Sequence, residues 1–256
     1  MKTLVTDLDG TLLVHGTIDD RVLQLLKRFQ KKNRLVLATG RDLKSTEKIL
    51  QQLDMHSGGL ILLNGNEYID LDDGEHIKRE GISQKQAQKI IKELQGWCAQ
   101  LYVVTSENHY RWTSYFETFI RLIPIPKLTK ILKYKKIYEL PKEIEKIAVL
   151  GYWGTSRRIK RCEKDNNIIY MKIGHFWDEI MPKGCDKSNM VRYIMKKYCI
   201  AEEDLIVFGD GQNDVEMLKL TNCSYAPAQA LKSAKSAASH IYFSEEEKIK
   251  IIENLM

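Results

Sequence analysis

The chain has 256 residues, 43% of them hydrophobic and 29% charged, with 15 Gly, 5 Pro and 5 Cys. That composition excludes a disordered chain, a collagen and a disulfide scaffold, and the length suits one large or two modest domains with a real core. The net charge is +6, the apolar run Leu12-Leu13-Val14 is too short for a signal-peptide core, and no run of about 18 apolar residues follows, so a cytoplasmic protein is expected.

In chain order, the apolar runs Thr3 to Thr6, Leu35 to Ala38 and Leu60 to Leu63 have the length of buried parallel strands. Between the first two, Val22, Leu25, Leu26 and Phe29 recur at helical spacing over Asp19 to Lys32, behind a helix-start signal at Thr17 to Asp20. Ser83 to Gln95 reads as a helix, and Leu101 to Thr105 with His109 to Thr113 as a strand pair. Ile147 to Tyr152, Thr155 to Asp165 and Ile168 to Ile173 then read as strand, helix, strand. Near Pro182 the first rhythm resumes, with Val191, Ile194 and Tyr198 on a helix over Lys187 to Tyr198 and a strand at Leu205 to Phe208. Strands alternating with helices predict an α/β fold, a doubly wound parallel sheet built from residues 1–81 and 182–256. An α+β domain at 82–181 interrupts it.

Charge and aromatic content mark the same boundary. Between Ile82 and Met181, 18 Lys or Arg stand against 10 Asp or Glu, so the basic excess of the chain lies in that insert. The insert also holds 14 of the 22 aromatic residues, including Trp97, Trp112, Trp153 and Trp177, and the lysine run Lys127 to Lys136. Cys98, Cys162, Cys185, Cys199 and Cys223 form no Cys-x-x-Cys pair and read as reduced, mostly buried thiols. The six histidines lack ligand spacing, so any metal would be held by oxygen.

Four polar clusters fall where strands end, which is where open α/β sheets bind ligands. Asp7-Leu8-Asp9-Gly10-Thr11 follows the first strand. Alternation along an extended chain puts Asp7 and Asp9 on one side, and two like charges so close call for a cation or a shared proton. Thr39-Gly40-Arg41 follows the second strand, a hydroxyl and backbone amides entering a helix, suited to phosphate. Lys183, in Pro182-Lys183-Gly184, offers a cation in a turn. Gly209-Asp210-Gly211-Gln212-Asn213-Asp214 adds carboxylates and an amide, with glycines for close approach. Taken singly, Thr39 and Asp214 also read as helix caps and Lys183 as a solvated loop lysine.

These motifs, in this order, resemble those of the haloacid dehalogenase-like (HAD) phosphohydrolase superfamily. The insert position, Asn64-Gly65 and Ser224 to Ala230 are similar to its Cof-like branch, subfamily IIB. The resemblance implies a HAD-like Rossmannoid core with an α+β cap and a Mg²⁺-dependent phosphatase acting on small phosphorylated metabolites, with sugar phosphates the first expectation. By that resemblance Asp7 is the nucleophile that becomes an aspartyl phosphate, and Asp9 the acid/base. Mg²⁺ is expected on the carboxylates of Asp7 and Asp210 and the backbone carbonyl of Asp9, with Asp214 orienting the metal shell or Lys183. Lys183 is expected to neutralise charge, while Thr39, Asn213 and the amides of Leu8 and Gly40 grip phosphate oxygens beside Arg41. Transport ATPases of the superfamily have Thr where Asp9 stands, so an acid there favours turnover. The chain departs from the pattern at its end, where Tyr242 to Met256 lacks Asp-Gly-Val, and at Pro227 and Gln229, where Met and Asn are commoner.

A basic cap fits steering of anionic substrate, although ordinary solvated lysines would look the same. A phosphomutase of the same superfamily, a basic nucleic-acid-binding module and a silent regulator are the rival readings. No nucleic-acid-binding motif accompanies the lysines, and no membrane partner is expected.

Overall fold

The computed structural model describes residues 1–94, 98–105, 109–113, 133–134, 140, 142–151, 155–172 and 177–255. Trp97, Trp153 and the lysine run Lys127 to Lys136, apart from 133–134, lie outside the described residues. Two compact units emerge, Met1–Arg79 with Asp186–Met256, and Glu80–Cys185.

The first unit opens with β1 (Thr3–Thr6), α1 (Asp20–Phe29), β2 (Arg34–Ala38), α2 (Leu43–Leu53), β3 (Gly59–Leu62), β4 (Glu67–Asp70) and β5 (His76–Lys78). Every residue of β1, β2 and β3 is buried, as expected of central strands covered on both faces. The helix α1 is set by Asp19, whose side chain accepts the Arg21 amide, and it buries Val22, Leu25, Leu26 and Phe29. Each such side chain contributes about 1.5–3 kcal/mol relative to leaving it in water.

The second unit carries β6 (Ile82–Ser83), α3 (Gln84–Leu94), β7 (Cys98–Val104), β8 (His109–Thr113), β9 (Lys133–Tyr134), β10 (Glu143–Ile144), β11 (Lys146–Gly151), α4 (Thr155–Asn166), β12 (Ile168–Lys172) and β13 (Trp177–Pro182). Its main sheet runs β12-β13-β11-β7-β8-β9, antiparallel except at β8–β9, and β6 pairs separately with β10. Ile90, Ile91 and Leu94 of α3 and Ile159 and Cys162 of α4 share a core with Leu101, Val103, Ile147, Val149 and Ile180 of the strands. The insert has its own hydrophobic centre.

The chain then returns to the first unit through α5 (Lys187–Lys197), β14 (Leu205–Phe208), α6 (Val215–Leu218), β15 (Ser224–Pro227), α7 (Lys232–Ala237), β16 (His240–Tyr242) and α8 (Glu245–Asn254). The sheet order β16-β15-β14-β1-β2-β3-β4-β5 is parallel from β16 to β3 and antiparallel at β4 and β5. It is a mixed α/β fold, largely parallel in the core sheet, with an inserted antiparallel sheet. The C-terminal segment forms a paired strand and a helix without Asp-Gly-Val, because Tyr242, Ile249 and Ile252 are buried.

Two expectations are corrected. Of the cysteines, only Cys162 and Cys185 are found buried among those described, while Cys223 is half-buried and Cys199 exposed at the end of α5. Asp7 and Asp9 do not lie along an extended strand, because β1 stops at Thr6 and the chain turns. Asp7 is 5% exposed, whereas the Asp9 side chain is 57% exposed.

Candidate active site

The strand order β14-β1-β2 dictates the site. Their carboxyl ends lie side by side, so the chain emerging from each delivers Asp210, Asp7 and Thr39 to one rim. The Asp7 amide donates to the Phe208 carbonyl at 2.9 Å, which fixes the loop after β1 to the end of β14. Gly10 has φ +87 and lies so close to the Asp210 carboxylate that a Cβ would collide with it.

The cation at the centre is Lys187, not Lys183. Lys183 is exposed in the turn after β13, where its amide donates to Asn167, so its side chain stays with solvent. Four residues later, Asp186 caps α5 by accepting the Ser188 amide at 2.8 Å, which makes Lys187 the first helical residue and turns it inward. Lys187 is fully buried, and its Nζ donates to Asp7 Oδ1 at 2.5 Å and to Asp214 Oδ1 at 2.7 Å. Gly65, at φ +89, lets the loop after β3 pack against the Asp186 backbone where a Cβ would not fit. An Asp-Lys-Ser start to an apolar-striped helix was the available signal.

Asp214 has both oxygens occupied. Oδ1 takes Lys187, and Oδ2 accepts the amides of Asp210 and Gly211 at 3.0 and 2.8 Å. It therefore orients Lys187 and the acidic loop. Asp210 accepts from the Thr11 hydroxyl at 3.2 Å. Ligand oxygens of Asp7, Asp210 and Asp214 lie within 4.8 Å of one another.

Three carboxylates around one ammonium leave an excess of negative charge. Burial, against the pull of Lys187 and with the push of Asp214 and Asp210, drives the Asp7 carboxyl well above the usual range. Burial and then Asp214 push Asp210 up to about 6. Burial opposes the Lys187 ammonium, but Asp214 and Asp7 outweigh it and raise its pKa. A divalent cation would relieve both strained carboxyls, and an all-oxygen donor set suits a hard ion such as Mg²⁺.

Around this centre, Thr39 is buried and its Oγ1 accepts the Arg41 amide at 3.1 Å. Asn213 Nδ2 donates to Oδ1 of Asn64 at 2.8 Å, joining the loops after β14 and β3; Asn64 sits at φ 54, a left-handed value that Asn tolerates. Gly40 lies against Asn64, and Leu8 is buried with its carbonyl accepting the Leu13 amide. Arg41 grips Asp9 side-on, Nη2 to Oδ1 at 2.5 Å and Nε to Oδ2 at 2.8 Å, and that contact raises the arginine pKa further. Neither this pair nor Lys187 was foreseen.

A buried carboxylate held by a buried lysine, beside acids fit for a divalent cation, forms the candidate site. The chain belongs to the haloacid dehalogenase-like hydrolases, whose family model matches residues 4–248. The HMP-PP phosphatase of Cronobacter sakazakii is 23% identical to it, covering 92% of this chain and 87% of that one. A haloacid dehalogenase-like hydrolase from Bacteroides thetaiotaomicron superimposes with a TM-score of 0.79 at 21% identity, over 100% of this chain and 99% of that one. The HAD subclass IIB sugar phosphatase BT4131 gives 0.79 at 19% identity, with all of both chains covered. No helix among the described residues is long and apolar enough to cross a membrane.

Proposed function

We propose that this chain is a Mg²⁺-dependent phosphatase that hydrolyses small phosphorylated metabolites, sugar phosphates first among them, through an aspartyl phosphate on Asp7. The observation that carries the reading is Asp7 held by buried Lys187 at 2.5 Å, beside Asp210, at the ends of adjoining parallel strands. The sugar phosphatase and HMP-PP phosphatase among its relatives support the substrate class.

The second Asp7 oxygen, which takes no hydrogen bond among the described residues, attacks phosphorus as the bond to the leaving oxygen breaks, and Asp9, having left Arg41 and taken a proton from solvent, protonates that oxygen. Asp9, now a carboxylate, takes a proton from water, which attacks phosphorus and releases Asp7 and inorganic phosphate. Lys187 neutralises the approach of two anions, while the Thr39 hydroxyl, the Asn213 amide and the backbone amides of Leu8 and Gly40 grip the phosphate oxygens. Arg41 keeps Asp9 at the rim until substrate arrives. Mg²⁺, when bound by the Asp7 and Asp210 carboxylates and the Asp9 carbonyl with Asp214 behind them, supplies the remaining positive charge.

The test is a phosphate-release screen across phosphorylated metabolites with Mg²⁺, with Asp7→Asn as the blank. Turnover of at least one sugar phosphate that Asp7→Asn abolishes is the expected result. Activity that survives the substitution would place the nucleophile elsewhere.

A further inference from the structure

One buried charge beside this site has no part in the reaction described above. Lys248, on α8, is 2% exposed, and its Nζ donates to the backbone carbonyl of Thr11 at 3.0 Å and pairs with Glu245 at 2.6 Å. Burying an ammonium is costly unless it is paired and hydrogen-bonded, and an apolar residue would fill the position more cheaply. What the lysine gains is a grip on one peptide of the loop that also carries Asp7 and Asp9.

That peptide leads to the metal-binding carboxylates. Thr11 is 1% exposed, and its hydroxyl donates to Asp210 Oδ1 at 3.2 Å, while its carbonyl is the acceptor for Lys248. The loop is closed by its own bonds, Leu13 amide to Leu8 carbonyl at 2.7 Å and Gly10 amide to Leu13 carbonyl at 3.2 Å. Gly10 also packs against the Asp210 carboxylate with no room for a Cβ. The position of Thr11 therefore sets the position of one Asp210 oxygen, and Lys248 sets the position of Thr11.

We propose that Lys248 is a positioning residue that, through Thr11, orients the Asp210 carboxylate for the divalent cation. This rests on the reading of Asp210 as a cation ligand. The segment that departs most from the family pattern thereby supports the acidic centre from behind, 237 residues along the chain from the loop it holds.

The test is calorimetric Mg²⁺ binding to the substrate-free protein. Lys248→Met should weaken binding about 10–100-fold, the usual cost of losing a group behind a metal ligand. Thr11→Val should do the same, Thr11→Ser should stay near wild type, and the double variant Lys248→Met/Thr11→Val should be no weaker than Thr11→Val alone. Ile249→Ala, on the same helix but outside the cavity lined by Thr11, Lys248 and Ile252, controls for lost stability. Unchanged or tighter Mg²⁺ binding in Lys248→Met overturns the proposal, as does equal weakening by Ile249→Ala at matched melting temperature. A wild-type protein that binds no Mg²⁺ overturns both this proposal and the metal reading beneath it, whereas wild-type binding with insensitive variants overturns this one alone.

Discussion

The first unit contains two buried clusters of charge, and they are built to opposite ends. Asp70 is fully buried, yet it faces two cations and two phenols: Arg34 Nη2 at 3.0 Å, Lys197 at 2.9 Å, Tyr68 at 2.7 Å and Tyr198 at 2.8 Å. Burial pushes its carboxyl up, but hydrogen bonds from Tyr68, Lys197, Tyr198 and the Asp72 amide win and hold it below the ordinary range. Around Asp7 the ammonium of Lys187 pairs with Asp7 and Asp214 while Asp210 takes the Thr11 hydroxyl, and the same burial prevails, so Asp7 and Asp210 are driven up. A saturated cluster staples β2, β4 and α5 together. An unsaturated one has room for charge from outside, as the proposed role of Asp7 and Asp210 requires.

The widest separation of the two comes from Lys187→Met. Phosphate release should fall by about 10²–10³-fold, the scale of removing one preorganised charge from a phosphoryl-transfer site. Steady-state kinetics would show it, and a change within twofold would remove Lys187 from the mechanism. Next is Asp70→Ala, which takes one carboxylate from Arg34 and Lys197 but leaves them Asp72, Asp73 and Glu75, and should cost about 1–3 kcal/mol of stability while leaving KM unchanged. Denaturant unfolding reads the first quantity and steady-state assay the second.

Acid separates them more finely. Because the folded pKa of Asp70 lies below its ordinary 3.8, its contribution is present above about pH 4 and is lost as pH falls further. Thermal melts of wild type should drop along that limb, and Asp70→Asn should flatten it. The smallest effect belongs to the rim, where Arg41→Ala frees an exposed Asp9. We expect kcat to fall about tenfold with at most about 1 kcal/mol of stability lost, checked by pairing kinetics with a melt.

How much of this the residues announced depends on what each required of its neighbours. The placement of Asp7, Thr39 and Asp210 was legible because each lies within two residues of the end of a buried strand, and a parallel sheet carries strand ends to one rim. The shared side of Asp7 and Asp9 was not, since alternation holds only while the strand lasts and β1 ends before either of them. Lys183 drew notice as a lysine in a turn, yet the lysine beside Asp7 is Lys187, which a helix cap rotates inward, and burial of a long cation cannot be read from its type. The pairs Arg41–Asp9, Lys197–Asp70 and Lys248–Thr11 join positions 32, 127 and 237 residues apart, which only the folded chain brings together.

The most direct test of the account is acid quenching during turnover of a sugar phosphate with Mg²⁺, followed by peptide mass mapping. The account predicts one acid-stable, hydroxylamine-labile phosphoryl group on the peptide that contains Asp7, present in wild type and missing in Asp7→Asn. A phosphoryl group on any other residue, or turnover through no covalent intermediate at all, would contradict it.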